Sequence, residues 1–477
     1  MSSPLWTAQE IVAATGARLS GEVAAATGAS IDTRTLQPGD LFFAIRGEAR
    51  DGHDFVRDAL AKGAAAAVVA EERAAEFAGA GALAAVPDPL AAMRQLGIAA
   101  RRRSRAGIVA VTGSVGKTGT KEALRLVLSR QGPTHASAAS YNNHWGVPLT
   151  LARMPRDSAF GVFEIGMNHP YEILPLTALV RPHVALVTTV EPVHIEFFRS
   201  ILAIADAKGE IFSGLEPGGT AVINRDNPLF ERLRAHAQAS AAGRIVSFGE
   251  HEAADVRAER IILKADLSVV EARVLGEPVT YRLGTPGRHI AMNSLGVLAA
   301  AHALGADLAV AALALGELKP PVGRGERTVL AVGRGEALLI DESYNANPAS
   351  MRAALATLGA VPVGSRGRRI AVLGDMKELG AEGPALHRGL AEAVESSNVD
   401  VVFAAGALME NLVAALPKAR VAAHAATSSA LAGAVCAAVR PGDAIMVKGS
   451  LSTGMGVIVK ALKERFADAA EAQAVKG

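Results

Sequence analysis

The run Ile108-Val109-Ala110-Val111-Thr112-Gly113-Ser114-Val115-Gly116-Lys117-Thr118 constrains this chain more than any other stretch of it. Apolar and β-branched residues lead into a glycine-rich turn and then a helical segment at Lys121–Leu128, so the spacing predicts a strand, a tight turn and a helix. That arrangement aims backbone N–H groups and the positive end of a helix at phosphate oxygens. In such a loop Lys117 reaches the β- and γ-phosphates and the Thr118 hydroxyl meets Mg²⁺. Val111 stands where the usual phosphate loop has its first glycine, which makes this a variant with Gly113 in that role. The competing explanation is a glycine turn followed by a fortuitous Lys-Thr pair.

The surroundings agree with a nucleotide fold. Apolar runs at 108–112, 159–165, 184–190 and 220–224 alternate with helical segments, the pattern of a parallel sheet. Residues 255–283 alternate without helical period and predict an antiparallel extension, and Ala291–Leu304 returns to a long apolar helix. Before this block, Thr7 and Glu10 have capping-box spacing, and short strands at Leu41–Ile45 and Ala65–Ala70 suggest a small α/β domain. After it, a Pro/Gly-rich passage from Lys319 to Gly325 precedes strands at 337–341, 369–374, 399–404 and 444–448. The expected architecture is α/β in three domains. A small N-terminal α/β domain covers 1–105, a central P-loop parallel-sheet ATPase domain 106–318, and a C-terminal Rossmann-like, doubly wound domain 319–477.

Composition excludes several functions. The 49 Lys and Arg against 47 Asp and Glu leave a net charge of +2, which argues against a nucleic-acid surface. The basic cluster Arg101, Arg102, Arg103 and Arg105 reads as a solvated helix end without function. Cys436 is the only cysteine, so no internal disulfide forms, and its apolar context reads as packing. Met1–Glu10 lacks the basic and apolar regions of a secretory signal, and the uncharged stretches 131–152 and 421–439 contain polar residues and histidine. A cytoplasmic chain is the expectation.

Two further constellations carry chemistry. Glu164 ends one predicted strand, His194 follows another, and Lys208 lies in the next helix. Strand C-termini face the ligand crevice of an open parallel sheet, so Glu164 and His194 can converge on phosphates held at Lys117. A carboxylate and an imidazole suit a divalent ion; each residue alone is better explained structurally, and it is their shared sheet edge that favours a ligand role. The second constellation, Asp341-Glu342-Ser343-Tyr344-Asn345-Ala346-Asn347-Pro348, reads equally as a substrate loop or as an Asx-type turn with a helix cap. Lys448-Gly449-Ser450 invites the same two readings.

Taken in order, these segments resemble the Mur ligase family, ATP-dependent enzymes that join an amino acid or dipeptide to a UDP-linked muramoyl peptide in peptidoglycan precursor synthesis. The resemblance also rests on Asp32-Thr33-Arg34, Gly52-His53-Asp54-Phe55, Asn142-Asn143 before Gly146-Val147-Pro148, and Ala207-Lys208-Gly209-Glu210-Ile211. It implies that the first domain holds the UDP group, the central domain ATP, and the third the incoming amine. By resemblance, Gly113, Ser114, Val115, Gly116, Lys117 and Thr118 handle the ATP phosphates, with Asn293 at adenine and Arg324 and Asp341 at phosphate or ribose. Thr118, Glu164, His194 and a carbamylated Lys208 resemble ligands of two Mg²⁺ ions, and Lys117, His194 and Lys208 the catalytic groups. Asp32, Thr33, Arg34, Gly52, His53 and Phe55 resemble the uridine site.

The Ser-Tyr-Asn-Ala-Asn-Pro string implies a D-alanyl-D-alanine acceptor, with Asn345 and Asn347 orienting it. The implied reaction activates the carboxylate of a UDP-N-acetylmuramoyl-tripeptide as an acyl phosphate and transfers it to the dipeptide amine, in a monomer without nucleic-acid or membrane partners. Two departures stand out. Leu451-Ser452-Thr453-Gly454-Met455-Gly456 replaces a pattern that often has Arg and later Met-Glu, and Asp341-Glu342 replaces a pair of aspartates. The alternatives are a folylpolyglutamate synthase-like ligase, which lacks such a first domain, a P-loop switch ATPase, and a silent UDP-sugar binding protein.

Overall fold

A computed structural model describes residues 4–467 apart from 49, 139, 194 and 365, with the backbone alone at 195. It contains three sheets, one for each expected domain. The first runs in the order Arg18–Ser20, Leu83–Val86, Ala66–Ala70, Asp40–Phe43, Gly28–Ser30, parallel except for its first strand. Ahead of it, Thr7 and Glu10 form the capping box their spacing requires, starting the helix Ala8–Thr15.

The central sheet has nine strands. Its order is Glu277–Leu283, Ser268–Val274, Val256–Leu263, Ala242–Gly249, Gly219–Asn224, Val184–Val187, Gly107–Thr112, Phe160–Glu164, Thr134–Ala136. The six strands from Thr134–Ala136 to Ala242–Gly249 are parallel and Val256–Leu263 joins them parallel, whereas the last two strands are antiparallel, as the alternating pattern of 255–283 predicts. From Gly107–Thr112 the chain builds the two strands on one side, then crosses to Val184–Val187 on the other. The switch in strand order therefore falls at the glycine turn, where open α/β sheets bind ligands. Separate apolar cores cover the two faces, one including the helix Lys117–Ser129 through Leu124, Val127 and Leu128, the other including Phe163, Ile204 and Phe212.

The third sheet orders Glu326–Val332, Gly335–Glu342, Ala444–Lys448, Arg369–Gly374, Val401–Ala405 and Val421–Ala425, with only the first pair antiparallel. Helices lie on both faces, Pro348–Gly359 and Leu390–Ser396 on one and Ser428–Ala438 and Gly456–Arg465 on the other. Cys436 is buried in the second of these cores. Among the described residues no helix is long and apolar enough to cross a membrane.

The first two domains share a core. Leu149 and Ala152, from the helix Gly146–Ala152 of the central domain, are buried among Trp6, Met93 and Leu96 of the first. Trp6 Nε1 donates to the Ala152 carbonyl at 2.8 Å. Here the structure corrects the reading of the basic cluster. Arg101 is 6% exposed and donates to the Val180 carbonyl at 2.8 Å, the Arg181 carbonyl at 2.6 Å and Glu216 at 3.2 Å. Arg103 lies over the Trp6 ring, 3.6 Å from its centroid, while Arg102 and Arg105 face solvent. The helix Pro89–Arg103 ends inside a domain junction, and the carbonyls at the end of the helix Ile173–Val180 take up the buried guanidinium.

Candidate active site

The P-loop strand ends at Thr112 and the helix begins at Lys117, four residues earlier than its apolar pattern indicates. The turn between them demands its glycines. Gly113 has φ +148°, and a Cβ there would fall 1.9 Å from Thr188 Oγ1; Gly116 has φ +85°, and a Cβ there would meet Asn293 Nδ2 at 2.3 Å. The loop thus presses against the strand end at Thr188 on one side and the helix Arg288–Ala303 on the other. Lys117 Nζ folds back to donate to the Gly113 carbonyl at 2.7 Å.

A cleft of about 600 Å³ opens above this loop, between the central and C-terminal domains. Ser114, Val115, Gly116, Lys117, Thr118, Glu164 and Asn293 line it from the central domain, and Arg324, Asn345 and Asn347 from the C-terminal domain. Gly113 supports the cleft from behind. Asp341 is buried behind the cleft wall with its carboxylate accepting the Ser343 N–H at 3.0 Å, and its neighbour Glu342 lines the cleft instead. Asn347 spends its Oδ1 on capping the helix Pro348–Gly359, reciprocated by Ser350, and Asn345 Oδ1 accepts the Ala346 N–H at 2.9 Å.

Glu164 is 1% exposed, and its Oε1 accepts from Asn142 Nδ2 at 2.7 Å. Among the described residues its buried Oε2 has no hydrogen-bond partner. An ionised carboxylate oxygen left in that state is costly unless a cation completes it, and hard oxygen donors beside a phosphate loop suit Mg²⁺. The residues present therefore fit the metal, with Thr118 and Glu164 as its candidate holders. His194 lies outside the described residues.

Lys208, near the end of the helix Ile201–Gly209, is 1% exposed and does not reach the cleft wall. Burial, then the nearby charge of Lys117, pushes its pKa well below the ordinary lysine value, against the opposing carboxylates of Glu210 and Glu172. Lys117 is lowered too, by burial first and with Arg324 acting against the attraction of Glu164.

The sequence assigned no role to Asn142 or Thr188 and left Lys448 between two readings. Asn142 orients Glu164, and its place beside Asn143 was the visible signal. Lys448, 3% exposed, donates to Glu342 Oε2 at 3.1 Å and to the Asn345 carbonyl at 3.0 Å, tying the end of its strand to the polar loop. Thr188 sat inside a run read as strand to Val190, but the strand stops at Val187 because the next residues turn their hydrogen bonds onto the P-loop. Leu451 stands 63% exposed in the turn Leu451–Thr453, with Met455 buried behind it.

The candidate uridine residues gather in the first domain. Arg34 grips Asp32 through Nε and Nη2, at 2.9 and 2.6 Å, and its hydrogen bonds hold the Asp32 carboxyl below the usual range. Thr33 offers its carbonyl to Lys62 Nζ at 3.1 Å. At Gly52 a Cβ would lie 2.6 Å from the Ile45 nitrogen, so only glycine fits. His53 is buried, its Nδ1 bonded to Asp51 Oδ1 at 2.7 Å and its Nε2 accepting the Ala70 N–H at 3.0 Å. Both ring nitrogens are occupied in fixing the loop, and Phe55 is half-buried against the apolar cluster beneath it.

A three-domain frame around a variant P-loop, with the third domain closing one cleft wall, defines an ATP-dependent ligase of the Mur type. Family models agree along the chain: "Mur ligase family, catalytic domain" over residues 25–114, "Mur ligase middle domain" over 111–301 and "Mur ligase, glutamate ligase domain" over 323–451. The chain belongs to the Mur ligase family.

Within it, several curated relatives carry the name of a single member. The UDP-N-acetylmuramoyl-tripeptide–D-alanyl-D-alanine ligase of Escherichia coli (strain K12) is 36% identical over 436 residues, 91% of this chain and 93% of the relative. The enzyme of the same name from Rickettsia prowazekii is 31% identical over 87% of this chain and 90% of its own. A crystal structure of MurF from Acinetobacter baumannii superposes with a TM-score of 0.84 at 29% identity, covering 97% of this chain and 99% of that one.

Proposed function

We propose that this protein ligates D-alanyl-D-alanine to a UDP-N-acetylmuramoyl-tripeptide with hydrolysis of ATP to ADP and phosphate. The observation that carries the reading is the match of nine-tenths of the chain to ligases of that name, on a cleft whose P-loop and Glu164 are intact. Amide formation needs a leaving group better than oxide. The tripeptide's terminal carboxylate takes the γ-phosphoryl group of ATP, giving an acyl phosphate. The dipeptide amine attacks its carbonyl carbon, and phosphate departs as the amide forms. Lys117 and the loop N–H groups stabilise charge on the transferring phosphoryl, so the protein works through positioning and electrostatics.

Mg²⁺ bound at Thr118 and Glu164, with His194, would neutralise charge on the nucleotide. A carbamate on Lys208 would supply negative charge for a second ion; its lowered pKa favours the neutral amine, the form that reacts with CO₂. Asn293 would serve adenine and Arg324 the phosphate or ribose side, with Asp341 acting from behind the cleft wall by fixing the turn at Ser343. Asp32, Thr33, Arg34, Gly52, His53 and Phe55 form the uridine pocket, where His53 acts by holding the loop. Asn345 and Asn347 address the dipeptide, and the enzyme works as a cytoplasmic monomer.

The test is phosphate release with Mg·ATP, UDP-N-acetylmuramoyl-tripeptide and D-alanyl-D-alanine, each omitted in turn, using tripeptides ending in meso-diaminopimelate or lysine. Release is expected only with all three present, and the two tripeptides identify the accepted third residue. Release that ignores both peptide substrates overturns the reading in favour of a switch ATPase.

A further inference from the structure

The loop Gly113–Gly116 carries its first glycine two residues later than the usual phosphate loop, and residues beyond the strand Val184–Val187 bond to it. Thr188 is one of them. It is fully buried, with its own N–H donating to the Thr112 carbonyl at 3.0 Å and its carbonyl accepting from Asn224 Nδ2 at 3.0 Å. Held at both ends, it directs Oγ1 to the Val115 carbonyl at 2.6 Å, a shorter contact than the 3.4 Å to Thr112. The glycine at 113 is what makes room, since any Cβ there would collide with that same oxygen.

The carbonyl of Val115 and the N–H of Gly116 belong to one peptide plane. In a trans peptide they point in opposite directions. A hydroxyl that fixes the carbonyl on the strand side therefore aims the N–H away from the strand, on the side of the cleft that Gly116 lines. Without that bond the plane is free to flip at Gly116, whose φ of +85° and missing side chain put little steric resistance in the way. A flipped plane would present a carbonyl oxygen to the phosphates in place of a donor.

We propose that Thr188 is a positioning residue for the nucleotide: its hydroxyl orients the Val115–Gly116 peptide so that the Gly116 N–H serves the phosphates. This rests on the ATP-binding reading above. The adjacent residues reinforce the frame, because Ser114 N–H donates to the Thr189 carbonyl at 2.8 Å and Ser114 Oγ and the Glu191 backbone exchange bonds of 3.0 and 2.9 Å. Those bonds hold the start of the loop, whereas the Thr188 hydroxyl alone among them acts on the peptide that leads into the helix.

The experiment titrates Mg·ADP into the full-length wild type, Thr188→Val and Thr188→Ser, alongside KM for ATP and for D-alanyl-D-alanine and melting without nucleotide. Thr188→Val keeps the shape and removes the hydroxyl; it is expected to weaken ADP binding and raise the KM for ATP roughly five- to tenfold, with the dipeptide KM within about twofold of wild type. Thr188→Ser keeps the hydroxyl and is expected to bind ADP like the wild type. If Thr188→Val does not fold, Thr188→Ala is read by the same criterion. ADP affinity unchanged in the folded variant, or a loss in Thr188→Ser equal to that in Thr188→Val, overturns the inference. A wild type that binds no ADP at all overturns the nucleotide reading, and this inference with it.

Discussion

Lys208 is the residue whose burial has the clearest thermodynamic consequence. Its amine is ordinary in the unfolded chain and has a strongly lowered pKa in the fold. Between the lowered value and about 10.5 the unfolded state binds more protons, so the contribution of this group to stability rises with pH through that window and is most unfavourable below it. Lys208→Met removes the cost while filling similar space. It is expected to stabilise the protein without nucleotide by on the order of 1–3 kcal/mol near neutral pH, with a flatter dependence of stability on pH above neutrality. Chemical denaturation across that pH range checks this, and equal stability of both proteins at every pH would contradict it. The carbamate has its own readout. Lys208→Ala is expected to lose ligation and to regain part of it with excess small carboxylates, and a fully active Lys208→Ala enzyme would remove the carbamate from the mechanism.

At the scale of elements, the helix Pro89–Arg103 connects the first two domains, and its last turn is the bolt. Arg101→Met retains the aliphatic stem and deletes a guanidinium that serves two carbonyls and Glu216. Leaving those acceptors buried is expected to cost about 2–4 kcal/mol in denaturant unfolding, against about 0.5 kcal/mol or less for the solvent-facing Arg102→Met. Equal effects would mean that the junction does not depend on the buried head group. This element also marks where sequence reading stops. Central strands such as Arg369–Gly374 and Ala444–Lys448 were legible to the residue because both faces are buried and their runs are continuously apolar. The glycine turn was legible because its chemistry is local. Arg101 was not, since four arginines in one turn look alike until the carbonyls of a helix eighty residues away meet one of them. Thr188 was hidden for a similar reason: a β-branched residue continuing a strand pattern gives no sign that its hydroxyl bonds to a loop seventy-three residues earlier. Strands of three residues, Arg18–Ser20 and Gly28–Ser30, are too short to carry a period.

At the scale of the molecule, the two domain junctions differ in kind. The first is a shared core of Trp6, Met93, Leu96, Leu149 and Ala152, locked by Arg101, in which side chains of the size of Met93, Leu96 and Leu149 are each worth up to about 1.5–3 kcal/mol of burial. The second is the cleft itself. Beside it, Arg327 donates to the Ala265 carbonyl and the turns Ile195–Phe197 and Gly380–Glu382 touch. The connecting passage Lys319-Pro320-Pro321-Val322-Gly323-Arg324-Gly325 lines the cleft, and Gly323 and Gly325 hold φ of +70° and +99°. Gly323 accepts the Tyr344 N–H at 3.1 Å and Gly325 donates to the Asp341 carbonyl at 2.8 Å, so both belong to the C-terminal domain and rotation is expected ahead of them, carrying Arg324 with that domain toward the phosphates. The first and central domains should move as one body. With Cys436 replaced by alanine, dye pairs at the exposed positions Glu22 and Gln238, or Gln238 and Lys418, separate the two junctions. Mg·ATP with UDP-N-acetylmuramoyl-tripeptide is expected to change energy transfer between 238 and 418 and to leave 22 to 238 unaltered. No change in either pair would mean that the cleft is already closed for chemistry, and a change in both would mean that the shared core is not the rigid unit its buried contacts require.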